Sequence, residues 1–253
     1  MSALTEIAAR LDQAMLTATA TPQIEEPISL DDAYDIQALA FANRLARGET
    51  RVGMKMGFTS RAKMVQMGVD EMIWGRLTDK MLVEESGEVS KADYVHPRAE
   101  PEIVFLLKKE LAGTVTAVEA MAAIEAVAPA IEIIDSRYQN FKFSLTDVVA
   151  DNSSSSGVVI GPWCSQPEDL SNLGMILSAN GEPREIGSTG AILGHPIRSL
   201  VAAARLVAVR GETLPAGSLV MAGGATAAFA LQPGDHVLLE AEKLGRVQFS
   251  VKA

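Results

Sequence analysis

The stretch from Arg98 to Arg137 constrains this chain more than any other. It holds two apolar runs, Glu100-Pro101-Glu102-Ile103-Val104-Phe105 and Ala130-Ile131-Glu132-Ile133-Ile134. Each carries carboxylates where a buried strand ordinarily carries Val or Ile. Glu100 and Glu102 are two residues apart, so an extended chain aims them at one face. Glu132 lies between two isoleucines. Buried carboxylates are too costly to leave unpaired, so the three need a cation, a proton or a metal. Three carboxylates with no Cys or His beside them suit a hard, oxygen-preferring ion such as Mg2+ or Mn2+. Taken singly, each has a plainer reading: Glu100 opens an edge strand and faces water, and Glu132 pairs with Arg98 or Arg137. Taken together, on so apolar a strand and with Pro101 between two of them, they read as a metal site.

The 253 residues suffice for a sizeable core, in one large domain or two small ones. The net charge of -10 argues against nucleic acid as a partner, and an anionic ligand must be held by local cations or a metal. Cys164 is the single cysteine, so there is no disulfide framework and a cytoplasmic location is expected. The N-terminus lacks the basic-then-apolar order of a signal segment. No uninterrupted apolar run approaches membrane-spanning length, so no membrane is expected.

Helical spacing of Leu4, Ile7, Ala8, Leu11 and Met15 predicts a helix over 3–20. Ser29 is a good N-cap for a second helix over 30–47, closed by Gly48. Residues 52–58 alternate as a strand, with Val52, Met54, Met56 and Phe58 on one face and Gly53, Lys55 and Gly57 on the other. A lysine flanked by glycines is either a surface residue on an edge strand or a cation delivered into a crowded site. The second is favoured, because its face carries no other bulk. A short helix is expected over Arg61–Met67 and a surface hairpin over 84–92. Ser144 starts another short helix, and 151–157 form a polar serine loop that is either a linker or a ligand contact. Asn180-Gly181 marks a hairpin. His195 caps the helix that follows it, His96 before Pro97 lies at the surface, and Cys164 packs as a small apolar residue. The element order is α+β: a mainly helical N-terminal or lid portion, 1–80, covering a strand-rich, metal-binding catalytic portion, 81–253, able to curl into a roll.

Four stretches now combine: Gly53-Met54-Lys55-Met56-Gly57-Phe58-Thr59-Ser60, the pair Glu100 and Glu102, Glu132-Ile133-Ile134-Asp135-Ser136-Arg137, and Asp151-Asn152-Ser153-Ser154. In this order they resemble the fumarylacetoacetate-hydrolase-like superfamily, and within it the branch of 2-hydroxypenta-2,4-dienoate hydratases and 4-oxalocrotonate decarboxylases. The resemblance covers nearly the whole chain, and two stretches, 61–69 and 136–143, look like the decarboxylases. It implies a mixed β-roll fold and one Mg2+ or Mn2+ on Glu100, Glu102 and Glu132. It implies a 2-oxo dicarboxylate substrate, 2-oxohex-3-enedioate, that loses CO2 to give 2-hydroxypenta-2,4-dienoate in catechol meta-cleavage. Lys55 is then the second cation near the C2 oxygen, with Asp79 orienting it. Thr59, Ser60, Ser154 and Arg137 are candidate substrate contacts, although Arg137 is equally a structural partner for Asp135 or Glu132. The alternatives are the hydratase reaction on the same scaffold and a non-catalytic subunit. A homo-oligomer, and a complex with the pathway hydratase, are further implications of the resemblance.

Overall fold

The computed structural model describes residues 2–60, 64, 71–165 and 169–253. The helix expected over Arg61–Met67, and most of the resemblance stretch 61–69, lie outside the described residues.

Two helices open the chain, α1 (Ala3–Thr17) and α2 (Leu30–Ala46). The start of α2 follows from its sequence: Ser29 Oγ accepts from the Asp32 backbone N–H, and Asp32 reaches back to the Ser29 N–H. The same reciprocal cap, Ser144 with Asp147, opens α4 (Leu145–Ala150), and Thr116 with Glu119 opens α3 (Ala117–Ala123). As expected, His195 caps α5 (Pro196–Val209), its Nδ1 accepting from the Ile197 N–H. The run Thr189–Val209 is long and apolar enough to match a membrane span by length and composition, although His195, Arg198 and Arg205 interrupt it. Half of it is buried in the fold, as suits a core helix.

The strands form two sheets. The larger contains β1 (Arg51–Gly57), β2 (Ile73–Thr78), β3 (Leu82–Val83), β5 (Arg98–Leu107), β6 (Ile124–Ile134), β7 (Ser155–Ile160), β10 (Leu219–Met221) and β11 (Phe229–Ala230). Its order is β2-β1-β10-β5-β6-β7-β3, with β11 on the lower end of β5. The smaller contains β4 (Glu88–Ser90), β8 (Gly174–Ala179), β9 (Glu182–Ser188), β12 (His236–Ala241) and β13 (Gly245–Lys252), in the order β4-β13-β12-β8-β9. The two outermost strands of the larger sheet, β2 and β3, are joined only by the turn Asp79–Met81. A sheet whose edges are three residues apart in sequence must curl until they meet, so it is a roll. Leu77, Met81, Val104, Ala128, Ala130, Val158, Leu219 and Met221 fill its inside. The opposite face carries Ile103, Phe105, Ile131 and Ile133, which join Val237, Leu239, Val247 and Phe249 of the smaller sheet in the main core. The period-two alternation of β5 and β6 therefore sorts apolar residues between two cores and leaves Glu100, Glu102 and Glu132 on the inner face.

Two sequence expectations shift. The sheet runs across residue 80, because β1 pairs in parallel with β10, so the helical part by itself ends near residue 46. Residues 84–92 are not a hairpin: β3 pairs with β7 and β4 with β13. Pro129 lies inside β6, as Pro101 lies inside β5. Both strand prolines are tolerated for one reason. In a strand the N–H and C=O of a residue point to the same side. Pro101 O accepts from Ala225 N, beyond the end of β10, and Pro129 O accepts from Gly161 N, beyond the end of β7. Neither proline faces a strand that asks it for a donor.

The helices cover the β2 side of the roll. Gln37 of α2 donates to Trp74 O at 3.1 Å and Val149 O at 2.8 Å, and Tyr34 stacks on Trp74 at 5.5 Å. At Gly75 a Cβ would stand 2.3 Å from the Asn152 carbonyl oxygen, so only glycine lets the serine loop press onto β2. Gly75→Ala should lower unfolding stability by about 1–3 kcal/mol, the usual cost of forced overpacking, read by urea denaturation.

Candidate active site

Register brings the carboxylates together. Glu100 lies directly opposite Glu132 in the antiparallel β5–β6 pair, and Glu102 follows on the same face. One oxygen of each lies within 4.8 Å of the others. Glu102 and Glu132 are 0% exposed. Lys55 arrives from two strands away. It aligns with Met221 of β10, which aligns with Val104 of β5, so all three point into the roll. One level further, β10 has ended and the chain has turned at Gly223 and Gly224. There the Gly223 N–H donates to Glu102 Oε2 at 2.8 Å. A side chain on Gly223 would collide with Thr59, its Cβ 2.1 Å from Thr59 Oγ1. This bare level is what lets Lys55 Nζ reach Glu132 Oε2, at 3.0 Å.

Burial raises the Glu102 pKa well above the carboxylate range, and Glu132 beside it adds to the push. Burial also raises Glu132, against the pull of Lys55. For Lys55 burial opposes the charge, but Glu132, Glu102 and Glu100 outweigh it and hold the ammonium above the usual lysine range. One lysine does not satisfy this set. Glu102 Oε1 and both oxygens of Glu132 lack a hydrogen-bond partner; the contact with Lys55 is an ion pair without hydrogen-bond geometry. Orphaned, buried, all-oxygen acceptors fit a hard divalent cation.

A cavity of ≈ 100 Å³ opens over this cluster, lined by Lys55, Thr59, Glu100, Ser153 and Ser154 together with apolar walls from Phe58, Ile73, Phe143 and Val148. The serine loop is thus a cavity wall and not a linker. Asn152, Ser153 and Ser154 all have left-handed backbone, with φ of 52°, 52° and 60°. Three such residues in a row are strained and need outside support. β2 supplies it: the Arg76 N–H donates to Asn152 Oδ1 at 2.8 Å, Asn152 Nδ2 to Arg76 O at 2.9 Å, and Ser153 Oγ to Trp74 O at 2.8 Å.

Three expected site residues are not in the lining of this cavity. Asp79 accepts from the Thr50 N–H at 2.8 Å and does not orient Lys55. Thr50 is five residues back along β1, on the order of 16 Å from Lys55 at strand rise. Arg137 is buried but lines a different cavity. Its Nε donates to Asp151 Oδ1 at 2.5 Å, its Nη2 to Asp151 O at 2.6 Å and its Nη1 to Ser156 Oγ at 2.5 Å. It is a structural partner, but of Asp151 rather than Asp135 or Glu132, because Asp135 already accepts from the Val95 and His96 N–H groups. Ser60 is half-buried, accepts at its carbonyl from Met64 N, and is not among the cavity-lining residues. His96 is not a plain surface residue, since its Nε2 is buried. The Gly223 donor escaped sequence reasoning; the Gly223-Gly224 pair closing a short strand was its signal.

Arg137→Ala should cost about 3–5 kcal/mol by urea denaturation, since it strands a buried Asp151, while the KM of the surviving enzyme stays unchanged. Mg2+ should raise unfolding stability by about 2.7 kcal/mol at a hundred times its Kd, and Glu102→Gln should abolish that rise. In chelator the order reverses. Glu102 folds with its pKa raised, so the unfolded chain loses this proton first and metal-free stability falls as pH climbs past about 4.3. Glu102→Gln removes that loss, so its margin over the wild type should widen from pH 5 to pH 8.

Residues 55–252 match the family described as fumarylacetoacetate (FAA) hydrolase, C-terminal. The chain is 58% identical to a 4-oxalocrotonate decarboxylase from Pseudomonas sp., over 98% of this chain and 97% of that relative. It is 37% identical to a 2-keto-4-pentenoate hydratase from Paraburkholderia xenovorans (strain LB400), over 82% of this chain and 78% of the hydratase. The solved structure of 4-oxalocrotonate decarboxylase from Pseudomonas putida G7, complexed with magnesium and adipate, superposes with a TM-score of 0.95 at 40% identity, covering 98% of this chain and 97% of that one. The fold, the carboxylate trio and these likenesses agree: the chain belongs to the fumarylacetoacetate hydrolase family.

Proposed function

We propose that this protein is a Mg2+-dependent carboxy-lyase that converts 2-oxohex-3-enedioate to 2-hydroxypenta-2,4-dienoate and CO2. One observation carries the reading: three carboxylates close enough to share one ion, two of them fully buried with oxygens that no hydrogen bond reaches, lie beside a cavity lined by Glu100 and the charged Lys55. The relative bound to magnesium and adipate, a six-carbon dicarboxylate, supports both the metal and the substrate class. Glu100, Glu102 and Glu132 would hold the cation, which when bound supplies Lewis-acid charge for an oxyanion developing at C2.

The remaining chemistry belongs to the chain. The C5–C6 bond breaks and its electron pair becomes the C4–C5 double bond. The C3–C4 double bond moves to C2–C3, and the carbonyl pair moves onto the C2 oxygen. Lys55 stabilises that charge and donates the proton that completes the enol. Glu132, 3.0 Å away, keeps Lys55 charged until then. Thr59 and Ser154, both in the cavity lining, offer hydroxyls to the substrate. Phe58, Ile73, Phe143 and Val148 keep water from the departing carboxylate, which leaves more readily as neutral CO2 when poorly solvated.

The hydratase reaction is the weaker reading on this geometry. It must protonate carbon, and Lys55 and Glu100 are the titratable side chains among the described residues that line the cavity. The proposal includes a cytoplasmic homo-oligomer, and a complex with the hydratase that takes up the product.

Freshly prepared 2-oxohex-3-enedioate should release CO2 with Mg2+ and none in chelator. Lys55→Met should lower kcat by about 10²–10³-fold, the usual cost of removing one oxyanion-stabilising donor. Hydration of added 2-hydroxypenta-2,4-dienoate without CO2 release would overturn the assignment in favour of the hydratase.

A further inference from the structure

Arg98 is the cation on the inner face of the roll that the reaction above leaves unused. It is two residues before Glu100 on β5, so its side chain projects from the same face as Glu100 and Glu102. It pairs across the sheet with Ile134, a residue of the cavity wall. Its guanidinium lies over the Phe141 ring, 4.1 Å from the centroid. Phe141 in turn meets Phe143, another wall residue, edge-on at 5.3 Å, and His96 meets Phe141 edge-on at 6.1 Å.

Around Phe141, then, are two nitrogens that lack what buried nitrogens usually have. Arg98 Nε and His96 Nε2 are both buried and both without a hydrogen-bond partner. The contrast with the other inward arginines is direct. Arg44 pairs with Glu49, Arg76 with Glu212 and Arg137 with Asp151. Among the described residues no carboxylate forms an ion pair with Arg98. Asp135, whose carboxylate lies against this segment, is already taken by the backbone N–H groups of Val95 and His96. Unmet nitrogens directly behind two residues of the cavity wall, Ile134 and Phe143, call for an acceptor from outside the chain.

We propose that Arg98, with His96 beside it, is the subsite for the distal carboxylate of the dicarboxylate substrate, and so sets the preference for dicarboxylates over monocarboxylates. The spacing suits a six-carbon chain. Arg98 and Glu100 are about 6.7 Å apart along the strand, and five extended carbon–carbon bonds span about 6 Å. A 2-oxo acid end at the carboxylate trio therefore places its other end at the guanidinium, whose planar fork matches a carboxylate. The stack on Phe141 holds that fork flat and shields one side from water. The subsite acts on binding and not on bond breaking. The charge that Arg98 holds departs as neutral CO2, so this contact weakens toward the transition state.

This inference rests on the dicarboxylate reading of the same site, and its test does not depend on turnover. Binding of 2-oxoadipate and of 2-oxohexanoate to the Mg2+-loaded enzyme would be measured by titration calorimetry. These share a 2-oxo acid end and a chain length and differ in the distal carboxylate. The wild type should bind 2-oxoadipate at least tenfold more tightly. Arg98→Met should lose that preference and keep the wild-type affinity for 2-oxohexanoate, and Arg98→Lys should restore part of it. In turnover, Arg98→Met should raise KM for 2-oxohex-3-enedioate at least tenfold with kcat unchanged or higher. An equal loss of affinity for both ligands, a fall in kcat alone, or a wild type with no preference would overturn the subsite. Should Arg98→Met fail to fold, Arg98→Gln asks the same question with a polar head. Loss of CO2 release with the affinity ratio intact would count against the decarboxylase and leave the subsite standing.

Discussion

The placement of three carboxylates inside a β-roll governs the rest of this structure. Glu100, Glu102 and Glu132 lie on the inner face of two central, hydrogen-bonded strands, and Glu102 and Glu132 are sealed there from water with too few protein donors. Lys55 and the Gly223 N–H answer part of the charge. What they leave unanswered is what a divalent cation supplies. The site is therefore destabilising by itself and is completed by its ligand, a common arrangement where function sets the chemistry and the surrounding core supplies the stability.

That placement depends on several local features acting together. β10 is three residues long, so the sheet has a gap at the level of Glu102. Pro101 needs no partner there, Gly223 adds no bulk, and Lys55 crosses the opening. β2 comes round to the far side and pins the strained turn of Asn152, Ser153 and Ser154 by its backbone. α2 locks β2 in turn through Gln37, which also accepts from Arg76 Nη1 at 2.6 Å. The N-terminal helices thus reach the cavity indirectly, through the strand that holds one of its walls.

The arginines show how one residue type divides its work. Arg137, beside a candidate metal ligand in sequence, turns back to clamp Asp151 and the loop after it. Burial pushes the Asp151 carboxyl up to about 6 even against the pull of Arg137. Such a pair holds a loop in place and has nothing to spare for a ligand. Among the described residues Arg98 has no such acid, and its Nε lacks a hydrogen-bond partner. Adjacency in sequence left the first equally a substrate contact or a structural partner, and the geometry makes it the structural partner.

Much of this was legible in the residues. The period-two pattern around Glu100, Glu102 and Glu132, the glycines flanking Lys55 and the caps at Ser29, Ser144 and His195 are local signals, and local chemistry decides them. So the sequence by itself determined the carboxylate trio, the inward lysine, the α+β class and the turn at Asn180-Gly181. It did not determine the partners of Asp79, Arg137 or His96, nor that Gly223 would donate to Glu102. Those pairings join residues far apart in the chain, and they exist only once the sheet has curled and its strands have taken their register. Which side chain a charge finds across a roll is fixed by which strands become neighbours, and that is settled by burial summed over the whole core rather than by any residue's own neighbours in sequence.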